Sequence, residues 1–217
     1  MSNLKQAIKQ NYVKCAKDPS YFINEFCVIQ HPQRGKIKFK LYPYQYDVLE
    51  EFETHDYNVV LKSRQLGIST LTAAYSLWLM LFHADKNVLC IATTKDTAKN
   101  LVTKVRIMYE GLPNWLKTAI VENNKLSLIF KNGSQIKAIA SNESAGRSEA
   151  LSLLILDEAA FIDKIDTIWT AAQQTLATGG RCIGISTPNG VGNWFHKTWV
   201  DAKDGVNKFN TIKLHWT

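Results

Sequence analysis

From Tyr57 onward the chain alternates short apolar runs with segments of helical spacing, and this alternation limits the fold more than any other feature. YNVVLKS, NVLCIATT, LSLLILDE and RCIGIST are mostly apolar and of strand length, whereas STLTAAYSLWLMLFH, KDTAKNLVTKVRIMYEGL and DTIWTAAQQTL space their apolar residues as helices do. Strands read as nearly unbroken hydrophobic runs when crossover helices cover both faces of a parallel sheet. Right-handed βαβ units follow, so the expectation is an α/β fold with a mostly parallel sheet and helices on both faces. One stretch departs from the alternation. KLSLIFKNGSQIKAIA carries Asn132-Gly133 between β-rich runs and predicts a hairpin. KFNTIKLHWT near the end reads as one more strand.

Ahead of Tyr57 the pattern is different. Residues 1 to about 35 have helical spacing broken at Pro19 and Pro32, which predicts short helices in an accessory N-terminal segment, residues 1–39, ahead of a main domain over 40–217. IKFKL alternates like a short strand, and YPYQYDVLEEF places Tyr44, Val48, Leu49 and Phe52 on one face of a helix. A length of 217 residues with 46% hydrophobic content suffices for one large domain with a real core. The net charge of +7 is compatible with a polyanionic partner such as DNA. Cys15, Cys27, Cys90 and Cys182 are too scattered for a zinc site or a disulfide framework, which predicts a reducing cytosol. No segment approaches the ~18 to 20 apolar residues of a membrane span, and MSNLKQAIKQ lacks the apolar stretch of a signal peptide. The expectation is a soluble intracellular protein. The chain stops on a strand without a polar tail, as a domain cut from a longer protein would.

In a parallel sheet the carboxyl ends of the strands share one edge, so residues distant in sequence meet there. Four such ends carry polar chemistry. LSLLILDEAAF delivers adjacent carboxylates, Asp157 and Glu158, where a metal could be held and a water oriented; an acidic first turn of a following helix is the alternative. LKSRQLGISTL is a strand-to-helix turn with Gly67, then Ser69 and Thr70 at the helix start, where free N–H groups can cradle phosphate and a hydroxyl can ligate Mg²⁺. Against the pattern G-x-x-x-x-G-K-S/T, Gly67 and Ser69 fit, Lys62 stands in place of the first Gly, and Ile68 in place of the Lys. An isoleucine cannot serve a phosphate, so the cation must come from Lys62 or Arg64. RCIGISTPNG offers Ser186, Thr187, Pro188, Asn189 and Gly190, either to sense a γ-phosphate or as plain turn chemistry. CIATTKD puts Thr93, Thr94 and Lys95 at the edge as a DNA-backbone contact or a helix cap.

KSRQLGIST, LLILDEAAF followed by a helix, and ISTPNG, in that order and spacing, resemble the ATPase domain of the large terminase subunit of tailed bacteriophages over roughly residues 40 to 215. The resemblance implies a three-layer P-loop NTPase core of the additional-strand type, ATP and Mg²⁺ as ligands, and hydrolysis that drives double-stranded DNA into a procapsid. It also implies that a C-terminal nuclease domain, absent from this chain, can follow. By position it implies Gln45 as reader of the adenine with Tyr42 or Tyr44 stacking, and a phosphate loop of Lys62, Ser63, Arg64, Gln65, Leu66, Gly67, Ile68, Ser69 and Thr70. Asp157 and Ser69 then hold Mg²⁺, Glu158 activates the water, and Ser186, Thr187 and Pro188 form the coupling motif. Lys62 is favoured as the displaced lysine. Arg147, eleven residues before Glu158, resembles the arginine that such rings supply to a neighbour's site, with Arg64 as runner-up. The implied partners are double-stranded DNA, a portal protein, a small terminase subunit and copies of the chain in a ring at the portal in the host cytoplasm; an isolated fragment can be monomeric. A helicase-like DNA-stimulated ATPase and a non-hydrolysing nucleotide- or DNA-binding scaffold are the competing readings.

Overall fold

A computed structural model of the chain describes residues 2–141 and 150–215. The chain opens with α1 (Ser2–Lys17) and α2 (Pro19–Phe26), separated by Asp18, whose carboxylate accepts from the backbone N–H groups of Ser20 and Tyr21. Proline at the first position of α2 costs nothing, because that N–H has no partner in a helix. The helical expectation fails beyond this point. β1 (Val28–His31) and β2 (Gly35–Lys38) pair antiparallel in a hairpin of their own, with Pro32 in the turn and Gly35 at φ 69°. Val28 and Ile29 favour extended backbone, and their pairing with Ile37 and Lys38 outweighs the helical spacing.

Next come α3 (Pro43–Thr54), β3 (Tyr57–Lys62), α4 (Ile68–Phe82), β4 (Asn87–Ala92) and α5 (Lys95–Gly111). They are followed by β5 (Ile120–Asn123), β6 (Ser127–Phe130), β7 (Gln135–Ala140) and β8 (Leu153–Asp157). The chain continues through α6 (Ile165–Leu176), β9 (Arg181–Ser186), α7 (Trp194–Lys203) and β10 (Asn210–Leu214). The expected hairpin is present as β6 and β7, turning at Asn132-Gly133, and the closing strand as β10. β5 and α7 were not foreseen. β5 is short and largely exposed, so no apolar alternation announces it, and α7 begins just past the turn signal Pro188-Asn189-Gly190.

The main sheet has eight strands in the order β10-β3-β9-β8-β4-β7-β6-β5. Every pairing from β10 to β7 is parallel, and only the β7-β6-β5 end is antiparallel. Alternate residues of each central strand face opposite ways. Val60, Val88, Cys90, Leu153, Ile155 and Ile183 pack with α2 to α5 in one cluster, while Val59, Leu89, Ile91, Leu154 and Leu156 pack with α6 and α7 in the other. The N-terminal helices contribute Cys15, Phe22 and Ile23 to the first cluster. All four cysteines are buried and free. Among the described residues no helix is long and apolar enough to cross a membrane.

Strand order positions the site. β9 lies between β3 and β8, the additional strand that separates the phosphate-loop strand from the strand bearing Asp157. In register, Leu61 faces Ser186, Ile185 faces Asp157, and Asp157 faces Ala92, so four strand ends finish level on one edge.

Candidate active site

The phosphate loop leaves β3 at Lys62, which is only 7% exposed, and enters α4 at Ile68. Two residues in the loop have left-handed backbone: Gln65 at φ 63° and Gly67 at φ 70°. A non-glycine residue at such an angle stores strain of the order of 1 kcal/mol or more, a cost typical of ligand-clamping loops. Gly67 has a second reason to be glycine, since a Cβ there would come within 2.9 Å of Gln45 Nε2. No side chain caps α4. The N–H groups of Ile68, Ser69 and Thr70 therefore lie in the first turn, where a helix has no carbonyl to offer them. The side chain of Ile68 is 1% exposed and packs into the core with α4, so only its backbone faces the loop. Ser63 is part-buried, and Arg64 is exposed with no hydrogen bond or ion pair among the described residues.

α3 braces this loop from the side. Gln45, 1% exposed, donates from Nε2 to Leu66 O at 3.1 Å, and its Oε1 accepts from the Tyr42 N–H at 3.1 Å. Tyr44 OH donates to the same Leu66 carbonyl at 3.0 Å. A primary amide has two donors and two acceptor lone pairs, so one of each remains on Gln45. Tyr42 lies parallel to Tyr44 with ring centroids 5.8 Å apart and stays 62% exposed, an aromatic face open to solvent beside the loop.

The two carboxylates diverge although they are adjacent in sequence. Asp157 ends β8 on the face shared with Leu153 and Ile155, toward α4, and its Oδ1 accepts from Ser69 Oγ at 3.1 Å. Burial pushes its carboxyl above the usual carboxylate range, partly offset by the Ser69 hydroxyl, and by Lys104 and Lys62 against the opposing charge of Glu158. Glu158 sits in the left-handed region at φ 55°, ψ 48°, which turns its side chain off the strand axis. Its Oε1 accepts from Lys62 Nζ at 3.0 Å, and its Oε2 accepts from both the N–H and the hydroxyl of Thr187 at 3.3 Å. One carboxylate thus joins the ends of β3, β8 and β9.

Ser186 and Thr187 are buried, and Ser186 Oγ accepts from the Ala160 N–H at 3.1 Å; Pro188 is exposed. Asn189 donates from Nδ2 to Ala160 O at 3.0 Å, so the loop after β9 is tied on both sides of Ala160. Thr94 caps α5 by accepting from the Thr97 N–H at 3.2 Å, the capping alternative for that strand end, and Lys95 is exposed. Arg147 lies outside the described residues. Sequence reasoning missed Lys104. It falls on the apolar stripe of α5, three residues after Leu101 and four before Met108, and a lysine inside such a stripe was the available signal. Burial pushes its amine below the ordinary lysine value, partly offset by Asp157 and Cys90.

Comparison with known proteins agrees with this geometry. A profile of the terminase large subunit, T4likevirus-type, N-terminal family matches residues 59–214. Protein gp28 of a Mu-like prophage, FluMu, of Haemophilus influenzae is 23% identical over 175 residues, which cover 75% of this chain and 34% of that protein. The chain therefore spans about a third of that relative's length. The large terminase ATPase domain of Thermus phage P74-26 is 23% identical with a TM-score of 0.64, covering 81% of each chain. The large terminase of a thermophilic bacteriophage, solved in complex with ATP-γ-S, superposes at a TM-score of 0.60 with 17% identity over 82% of this chain and 45% of that one. The profile match extends over well more than half of the sequence and includes the phosphate loop, the Asp157-Glu158 pair and the loop after β9, and on that ground the chain belongs to the terminase large subunit family as its N-terminal, ATPase-domain portion.

Proposed function

We propose that this domain hydrolyses ATP with Mg²⁺ and that the hydrolysis drives double-stranded DNA into a viral procapsid. The observation that carries the reading is the junction at Glu158, where Lys62 from the phosphate-loop strand and Thr187 from the β9 loop meet the same carboxylate. The complex of the thermophilic phage's terminase with ATP-γ-S supports the choice of nucleotide. Within the family the main domain corresponds to residues 40–217, with 1–39 accessory to it; any nuclease activity belongs to sequence outside this chain.

Ser69 Oγ and the Asp157 carboxylate fit a magnesium site. They are hard oxygen donors that already converge at 3.1 Å, and among the described residues no group of three acidic, His or Cys side chains could hold a metal unaided. That suits an ion that takes one or two protein oxygens and completes its shell from phosphates and water. When bound there, Mg²⁺ would neutralise charge on the β- and γ-phosphates.

The chain's own groups perform the rest. The N–H groups at the start of α4 cradle the phosphates, and Lys62, standing in for the lysine that Ile68 replaces, exchanges its ion pair with Glu158 for a contact with the phosphate. Glu158, released on that side but still held by Thr187, accepts the proton of the water that attacks the γ-phosphate in line. Thr187 consequently registers whether Glu158 is paired with Lys62 or with water, which ties the chemistry to the β9 loop. The open face of Tyr42 stacks the adenine, and the spare donor and acceptor of Gln45 read its edge. Arg147 reaches the site of a neighbouring copy in a ring. The ring, a portal protein, a small terminase subunit and a location at the portal in the host cytoplasm are parts of the same proposal.

Glu158→Gln tests the reading. It keeps the shape and the Thr187 contacts but removes the base, so ATP binding measured by titration should persist while turnover falls by roughly 10² to 10⁴, the range general-base catalysis supplies. Undiminished turnover in the variant would overturn it.

A further inference from the structure

Lys104 has no part in the mechanism above, yet the fold directs it at the metal-binding carboxylate. α5 starts at the active edge and runs away from it, capped at Thr94. Side chains on a helix tilt toward its N-terminus, so an amine in the third turn leans back toward that edge. Asp157 shares its strand face with Leu153 and Ile155, and both of those pack against α4 and α5. Ser69 reaches Asp157 from α4, and Lys104 interacts electrostatically with Asp157, with Lys62 and with Cys90, a buried residue of the neighbouring strand two positions before the partner of Asp157.

Charge balance gives the arrangement its consequence. The carboxylates of Asp157 and Glu158 are matched by the ammonium groups of Lys104 and Lys62. A divalent cation entering alone would bring two uncompensated positive charges into a site that is already neutral and largely desolvated, where charge is costly. The same cation entering with the phosphates of a nucleotide carries its own compensation.

We propose that Lys104 makes divalent-cation binding depend on nucleotide: its ammonium neutralises Asp157, so the site retains a metal only when the metal arrives with phosphates. Lys104 is in this sense a positioning residue. It acts through Asp157, and the inference rests on the reading of Asp157 as a metal ligand.

The test titrates Mn²⁺, read by its electron paramagnetic resonance signal, into the 217-residue chain and its variants with and without ATP-γ-S. Lys104→Met should bind Mn²⁺ without nucleotide about tenfold more tightly than the unaltered protein, the factor that one pKa unit of interaction confers. Lys104→Arg, which keeps the charge, should restore the weak binding, and the difference should shrink once ATP-γ-S is present. A merely structural role would not produce a gain of binding. If Lys104→Met melts early by circular dichroism, Lys104→Gln carries the same comparison. Equal Mn²⁺ affinity of the unaltered, neutral and arginine proteins without nucleotide overturns the inference. Asp157→Asn separates the two readings: if Mn²⁺ binding with ATP-γ-S survives it, the assignment of Asp157 itself fails. If that binding is lost while the Lys104 variants match the unaltered protein, only the present inference fails.

Discussion

Asp157 carries a cost that its role explains. Burial raises its carboxyl above the ordinary value of 3.8, and the hydrogen bond from Ser69 only partly offsets this. With the folded value raised, the folded chain holds its proton to higher pH than the unfolded chain does, so this group's contribution to stability declines as pH rises from the ordinary value through the elevated one. Thermal melts of the nucleotide-free protein across that interval, compared with Asp157→Asn, should show the difference between native and variant moving steadily against the native protein as pH increases. A difference that stays flat would mean the burial cost is absent. The adjacent acids were legible in the sequence as a pair, because an apolar run ending in two carboxylates is conspicuous. Their division of labour depends on the left-handed backbone at Glu158, which sends its side chain to Lys62 and Thr187 while Asp157 stays on the α4 face. Lys62 and Arg64 look alike as substitutes for Ile68 in the sequence. Burial separates them, with Lys62 enclosed against Glu158 and Arg64 exposed.

At the scale of elements, the far end of the sheet holds the parts of the site in mutual position. Arg181 at the start of β9 donates to Glu53 Oε1 of α3 at 3.0 Å and to Tyr75 OH of α4 at 2.7 Å, and Tyr75 OH donates to Glu53 Oε1 at 2.6 Å. The helix that carries Gln45, the helix that carries the phosphate loop's N–H groups and the strand that ends in Ser186 are thereby tied at one point. Tyr75→Phe removes a buried hydroxyl that makes two charge-assisted hydrogen bonds but leaves the Arg181–Glu53 pair, so it should cost about 1–3 kcal/mol. Urea unfolding should show a lower midpoint with an unchanged slope, and nucleotide affinity should hold; an unchanged midpoint would exclude a clamping role. The long elements from β3 to β9 were readable because each has one unambiguous period over its whole length. β1 and β2 were misread as helix, since four-residue strands are too short for a period and their pairing is decided by the partner strand.

For the whole molecule, assembly is the decisive property. An arginine supplied by a neighbour means that a monomer lacks part of its site, so ATP turnover per chain should rise with protein concentration and total activity faster than linearly. Strict proportionality across the range in which light scattering detects self-association would remove Arg147 from a trans role. The tests of Glu158 and Lys104 do not depend on this outcome, because binding can be read on any assembly state. The sequence by itself determined the α/β class, the hairpin at Asn132-Gly133, the loop around Gly67 and the acidic strand end, because these follow from local period, turn chemistry and short-range spacing. Only the tertiary structure decided that β9 is inserted between β3 and β8, and with that insertion which side chains meet. Strand order is set by how crossover helices bury their faces against the whole sheet, and contacts such as Lys62 with Glu158, 96 residues apart, have no local signature to read. The same reason hid Lys104, a lysine in an apolar stripe until the sheet places Asp157 in front of it.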